Sequence, residues 1–241
     1  MTPQAPRAYE IADGFKQRGK SVVMGGFHAS NLPDEALTHV DAVVVGEGEV
    51  VWPRLLADFS RGNLQRLYRS DSLMSMTDIP DARRSIFKGK GYLLTNTIQT
   101  TRGCPFDCEF CSVTAFYGRS YRKRPVEQVL TELQELRKTN SFIFFVDDNI
   151  VADRTYALSL FQGMKGMDFK WLSHAPIDFA GDRELMRAAG ESGCVGMFVG
   201  FESLNQESLS AMGKVTNRAQ TFMDDAKAFR DNGIGLSLIH I

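Results

Sequence analysis

From Phe142 onward the chain repeats one unit: a short apolar run, a polar residue or two at its end, then an amphipathic stretch. The apolar runs are Phe142–Val146, Lys170–Ile177, Val195–Phe201 and Ile234–Ile241. Helical patterns at 154–166, 182–192, 205–212 and 216–232 separate them. Asp182 suits the start of one and Gly193 and Gly233 suit the ends of two. Strand–helix repetition of this kind predicts a parallel barrel or open sheet. The site belongs at the C-terminal edge, because polar residues collect there: Asp147-Asp148-Asn149 after the first run, Glu202 after the third. Upstream, Tyr92–Gln99 reads as a further strand and Pro125–Lys138 as a helix. Pro125 suits that helix's first turn, and Val126, Val129, Leu130, Leu133 and Leu136 share one face.

Between that strand and that helix lies Thr101-Arg102-Gly103-Cys104-Pro105-Phe106-Asp107-Cys108-Glu109-Phe110-Cys111-Ser112. Three of the chain's four cysteines fall in it, and Cys194 is far away. Thiolates this close can reach one iron–sulfur cluster from a single loop. A cubane has four irons, so three thiolates leave one iron open to a second molecule. Zinc commonly takes four ligands in two separated pairs, and no second pair exists. A disulfide is not expected, given the few cysteines and no recognisable signal peptide. Cys194, entering a strand, reads as a small buried residue.

The first part of the chain is different material. Gly19–Gly26 and Asp41–Glu49 read as short strands with unbroken apolar centres, as in a parallel sheet covered on both faces. Residues 5–18 and 34–39 read as helices feeding and joining them. Residues 60–91, with turn residues, mixed charge and Pro80, read as a linker with short structured pieces. The expected domains are therefore 1–59, the linker 60–91, and 92–241. Hydrophobic residues make up 43% of the 241, enough for a full core. The net charge of -1 argues against nucleic acid or an anionic membrane as partner. No apolar run approaches the roughly 20 residues that span a bilayer. Clustered, reduced cysteines fit the cytoplasm.

The C-x3-C-x2-C spacing, with Phe110 before the last cysteine, resembles the radical S-adenosylmethionine (radical SAM) superfamily. Gly25-Gly26-Phe27-His28-Ala29-Ser30 followed by Gly46-Glu47-Gly48-Glu49 resembles the end of the cobalamin domain found in one class of it. The resemblance implies an α/β fold: an incomplete partial (β/α)6 barrel, preceded by the C-terminal part of a Rossmann-like cobalamin-binding domain. Of the roughly six strand–helix units of such a barrel, the chain supplies about five strands, so a piece truncated at both ends is expected.

By the same resemblance Cys104, Cys108 and Cys111 hold a 4Fe-4S cluster, and the open iron chelates S-adenosylmethionine. Phe110 lies near the adenine. One of Asp147, Asp148 and Asn149 meets the methionyl ammonium, which of them being open because the family's usual Gly-Gly-Glu is absent. Glu202 is placed at the ribose, and Gly25, Gly26 and His28 at cobalamin. The implied activity is reductive cleavage of SAM to a 5′-deoxyadenosyl radical, in a cobalamin-dependent methyltransferase acting on an unactivated carbon. The implied partners are a small-molecule substrate and a reductant such as flavodoxin or ferredoxin.

Other radical reactions on the same scaffold, an electron-transfer protein with a cluster indifferent to SAM, and an inactive fragment stand as alternatives. Simpler roles exist for the individual residues. Each carboxylate suits a helix N-cap or a solvated turn. Arg119, Arg122, Lys123 and Arg124 read as a solvated loop, and His174 as a packed or hydrogen-bonded side chain.

Overall fold

Ala42, Val43, Val44 and Val45 are all buried, and they face alternate ways. Val43 and Val45 join an apolar cluster with Tyr9, Ala12, Ala29 and Ala36, whereas Ala42 and Val44 join Val51, Leu55 and Tyr68. A strand covered on both faces needs no polar alternation. The computed structural model describes residues 2–70, 72–87, 90, 96–138 and 141–238. They divide into two units, Met1–Ile79 with Ala115–Tyr117, and Pro80–Thr114 with Gly118–Ile241.

The first unit runs α1 (Ala5–Lys16), β1 (Val23–Met24), α2 (Phe27–Asn31), α3 (Pro33–Ala36), β2 (Ala42–Val45), α4 (Gly48–Ser60) and β3 (Leu67–Arg69). Its sheet has the order β1-β2-β3, with both pairs parallel. The strand expected over 41–49 stops at Val45. Gly46 then turns at φ 84°, a left-handed conformation suited to glycine, and α4 begins two residues later. Helix α4 buries Val51 and Leu55, one turn apart. The stretch 60–91 contributes β3 to this sheet.

The second unit opens with β4 (Thr97–Ile98) and β5 (Thr101–Arg102). After the cysteines come α5 (Ser112–Tyr117), whose last three residues belong to the first unit, then β6 (Arg122–Lys123) and α6 (Val126–Arg137). The alternation continues with β7 (Phe142–Phe145), α7 (Arg154–Met164), β8 (Lys170–His174), α8 (Arg183–Glu191) and β9 (Cys194–Val199). It closes with α9 (Gln206–Ala211), α10 (Phe222–Asp231) and β10 (Gly235–Leu238). The five-stranded parallel sheet has the order β4-β7-β8-β9-β10, the arrangement that successive helical crossovers produce. Trp171 anchors the core, edge-on to Phe145 with ring centroids 5.4 Å apart and hydrogen-bonded to the Ser192 carbonyl at 3.2 Å.

Three expectations change. Of the strand expected over Tyr92–Gln99, Thr97–Ile98 is seen; residues 92–95, and 239–241 of the last strand, lie outside the described residues. The helix expected over 216–232 starts at Phe222, after a 3-10 turn at Ala219–Thr221. Thr216 and Asn217 are buried instead, and Asn217 Nδ2 donates to the carbonyls of Gly200 and Phe201, 2.9 Å each. Of the basic run only Arg119 is a solvated loop residue. Arg122 and Lys123 pair antiparallel with β5, and Arg124 is buried against Glu132 at 2.7 Å. No helix among the described residues is long and apolar enough to cross a membrane.

Candidate cofactor site at the strand C-termini

The loop that follows β4 is gripped from the end of β7. The Asp147 carboxylate accepts the backbone N–H and the hydroxyl of both Thr100 and Thr101, at 2.5 to 3.2 Å. Asp148 Oδ2 accepts the Gly103 N–H at 3.0 Å. Asn149 Nδ2 donates to Cys104 Sγ at 3.8 Å. Gly103 has φ 87°, and a Cβ there would lie 2.2 Å from the Ser120 carbonyl oxygen, so only glycine fits.

Cys104, Cys108 and Cys111 are free, partly exposed, and line one cavity of about 180 Å³ at the C-terminal edge of the five-stranded sheet. Burial raises the Cys104 and Cys108 thiols above the ordinary value, and Cys108 also feels the charges of Cys111 and Cys104. Lys214 opposes that rise at Cys108. Three thiols lining one open cavity suit a 4Fe-4S cluster with one iron left for another ligand, although among the described residues no three such side chains are already gathered as around a metal ion. Cys194, the first residue of β9, is buried, donates to the Gly196 carbonyl, and takes no part.

Phe110, Asp148, Asn149 and Glu202 line the same cavity. Asp147 does not. It is fully buried and its carboxylate is taken up by Thr100 and Thr101, so that of the three candidates Asp148 and Asn149 are the ones at the cavity while Asp147 holds the loop. Glu202 has φ 62° and pairs with Lys214 Nζ at 3.2 Å, both side chains about 15% exposed. The Glu202 carboxylate folds over Gly200, where a Cβ would sit 2.0 Å from Oε1. Lys214 Nζ also lies 5.7 Å from the Phe110 ring centroid.

Lys214 was not singled out in the sequence. The available signal was Gly213, which has φ 69° and packs against the Asp107 carbonyl, docking its segment on the cysteine loop. His174 at the end of β8 also lines the cavity. Its Nδ1 lies 3.1 Å from the Asp147 carbonyl oxygen and its ring sits near Phe144 and Phe198. Burial lowers its pKa, which favours the neutral imidazole.

Gly25, Gly26 and His28 belong to the first unit. Gly26 has φ 93° and caps α2. His28 Nε2 meets Tyr9 Oη at 3.0 Å and Glu35 Oε1 at 3.2 Å, and Nδ1 meets Thr2 Oγ1 at 3.2 Å, so its ring joins α1, α2 and α3.

Residues 98–241 match the profile of the radical SAM superfamily. The chain belongs to that superfamily. Membership carries with it a 4Fe-4S cluster and S-adenosylmethionine. The chain is 37% identical over 229 residues to a bacteriochlorophyllide d C-12(1)-methyltransferase of Chlorobaculum tepidum, covering 92% of this chain and 50% of the relative. Among solved structures it resembles the cobalamin-dependent SAM radical enzyme OxsB with aqua-cobalamin bound, at 18% identity and a TM-score of 0.77 over 98% of this chain and 39% of that one. It resembles equally the radical SAM methyltransferase TsrM of Kitasatospora setae, at 17% identity and a TM-score of 0.77 over 98% of this chain and 52% of that one. These two likenesses establish the radical SAM fold. The chain spans about half the length of the curated relatives it matches.

Proposed function

We propose that the full-length protein is a cobalamin-dependent radical SAM methyltransferase acting on an unactivated carbon of a small molecule. The observation that carries this is that three thiols, Asp148, Asn149 and Glu202 line one cavity at the strand C-termini. Cys104, Cys108 and Cys111 would hold the cluster. When bound, a 4Fe-4S cluster supplies one electron to the SAM sulfonium, giving methionine and a 5′-deoxyadenosyl radical. Asp148 presents a carboxylate to the methionyl ammonium, Phe110 a ring face to the adenine, and Glu202 an acceptor to the ribose hydroxyls. Lys214 holds the Glu202 carboxylate in place. His174 and Phe198 wall the cavity, backed by Phe144, and limit water.

The methyltransferase reading is supported by the name of the bacteriochlorophyllide relative and by the two likenesses above. Gly25 and Gly26 mark the backbone edge at which cobalamin would approach, with methyl transfer as the chemistry it supplies. The electron would come from a reductant of the flavodoxin or ferredoxin class, in the cytoplasm.

The test is anaerobic incubation of the full-length protein with reductant, cobalamin, methyl-deuterated SAM and a small-molecule extract as the source of methyl acceptor. The expected products are 5′-deoxyadenosine, S-adenosylhomocysteine and a deuterium-labelled methyl acceptor. A cluster that leaves SAM intact would point to electron transfer instead.

A further inference from the structure

We propose that Asn149 is a positioning residue for the cluster, its side-chain amide donating to the Cys104 thiolate and raising the cluster's reduction potential. The inference rests on the assignment of the three cysteines above. An amide can point either its oxygen or its nitrogen at a neighbour, and here the choice is fixed. Asn149 Oδ1 accepts the Val151 N–H at 3.2 Å, so the NH₂ end faces Cys104 Sγ, 3.8 Å away. The residue is buried, and its backbone carbonyl accepts the Tyr121 hydroxyl at 3.0 Å. Its two predecessors hold the loop just upstream: Asp147 at Thr100 and Thr101, Asp148 at Gly103. Three consecutive residues after β7 therefore seize successive points of the cysteine loop, and the last of them reaches a sulfur.

Besides Asn149, Cys104 takes the Phe106 backbone N–H, while Cys108 lies near the charges of Lys214 and Glu202. A neutral N–H aimed at a ligand sulfur stabilises the form with more negative charge, and reduction adds one. The half-reaction is uptake of one electron from an external low-potential reductant. No covalent bond changes, and Asn149 keeps both protons. Burial strengthens the effect, because little water competes for the sulfur.

The experiment uses the chain reconstituted anaerobically with iron and sulfide. Asparagine labelled with ¹⁵N at the side-chain amide is incorporated, and pulsed EPR of the reduced cluster looks for a weak ¹⁵N coupling. Redox titration then gives the midpoint potential of the wild type, Asn149→Ala and Asn149→Asp. The expected result is a coupling in the wild type, lost in Asn149→Asp, with the midpoint lower in Asn149→Ala and lower again in Asn149→Asp. Asn149→Asp keeps the acceptor for the Val151 N–H, so loss of that turn does not explain its shift. If neither variant takes up a cluster, the labelled wild type alone decides. A cluster without the coupling, or with midpoints unchanged in both variants, overturns the proposal. Absence of any cluster in the folded wild type overturns the assignment of the cysteines beneath it.

Discussion

Asp147 Oδ1 accepts both the backbone N–H and the hydroxyl of Thr101, at 2.5 and 2.6 Å, across 46 residues of sequence. It thereby ties the end of β7 to the start of the cysteine loop. Burial pushes its pKa up to about 6 against these hydrogen bonds. The fold therefore binds that proton more tightly than the unfolded chain does. The group's contribution is fully present below about pH 4 and is lost as pH rises through about 6. Asp147→Asn cannot titrate. Its stability deficit relative to wild type should be largest near pH 4 and shrink by up to about 3 kcal/mol by pH 7, at about 1.4 kcal/mol per pH unit. Urea denaturation of both proteins at the two pH values measures this. A deficit that does not vary with pH would contradict it.

Gly200 leaves room for the Glu202 carboxylate, which a Cβ would meet at 2.0 Å. That carboxylate is the far end of a flexible side chain, so Gly200→Ala should displace it from Lys214 rather than unfold the sheet. The expected result is SAM affinity about tenfold weaker, a loss of about 1.4 kcal/mol, with a melting temperature near that of wild type. Calorimetric titration of the reconstituted protein with SAM reads the first, and thermal denaturation the second.

Glu132 on α6 lies between two guanidinium groups, Arg84 at 2.6 Å and Arg124 at 2.7 Å. Those arginines in turn donate to the Thr97 and Gln99 carbonyls, on the segment leading into the cysteines. Glu132→Gln would leave two largely buried cations without their counter-ion. A loss of about 3 kcal/mol is expected, the order seen when one partner of a buried pair is removed. Chemical denaturation at neutral pH checks it, and a change below about 1 kcal/mol would show the group to be better solvated than its burial implies.

Gly103→Ala places a methyl group 2.2 Å from a backbone oxygen, at a residue with φ 87°. Neither atom can step aside as a side chain would. The expected cost is about 1–3 kcal/mol, together with reduced iron content after reconstitution. Iron and sulfide assays beside circular dichroism separate loop distortion from global unfolding.

Much of the fold was legible because β2, β7 and β9 are dominated by apolar residues, and because polar residues follow the strands of the second unit. The start of helix α4 was not, since the strand expected over Asp41–Glu49 ran through the turn at Gly46 into the helix's first residues. The start of α10 was hidden because Thr216 and Asn217 look helix-compatible, and only the carbonyls of Gly200 and Phe201 show why Asn217 stays outside the helix. Cys104, Cys108 and Cys111 announced themselves by spacing. The division of labour at Asp147-Asp148-Asn149 did not, because whether a carboxylate faces the loop or the cavity depends on strand pleat and on Thr100 and Thr101 opposite. Lys214 was marked only by the neighbouring Gly213, as its partner Glu202 lies on the far side of α9 in sequence.

The central claim is that Cys104, Cys108 and Cys111 hold a cluster that SAM meets directly. EPR of the anaerobically reconstituted, reduced chain before and after addition of SAM tests it. The account predicts a 4Fe-4S signal that SAM perturbs and that vanishes when the three cysteines are changed to alanine. A folded protein without that signal, or a signal that survives the triple substitution, would contradict it.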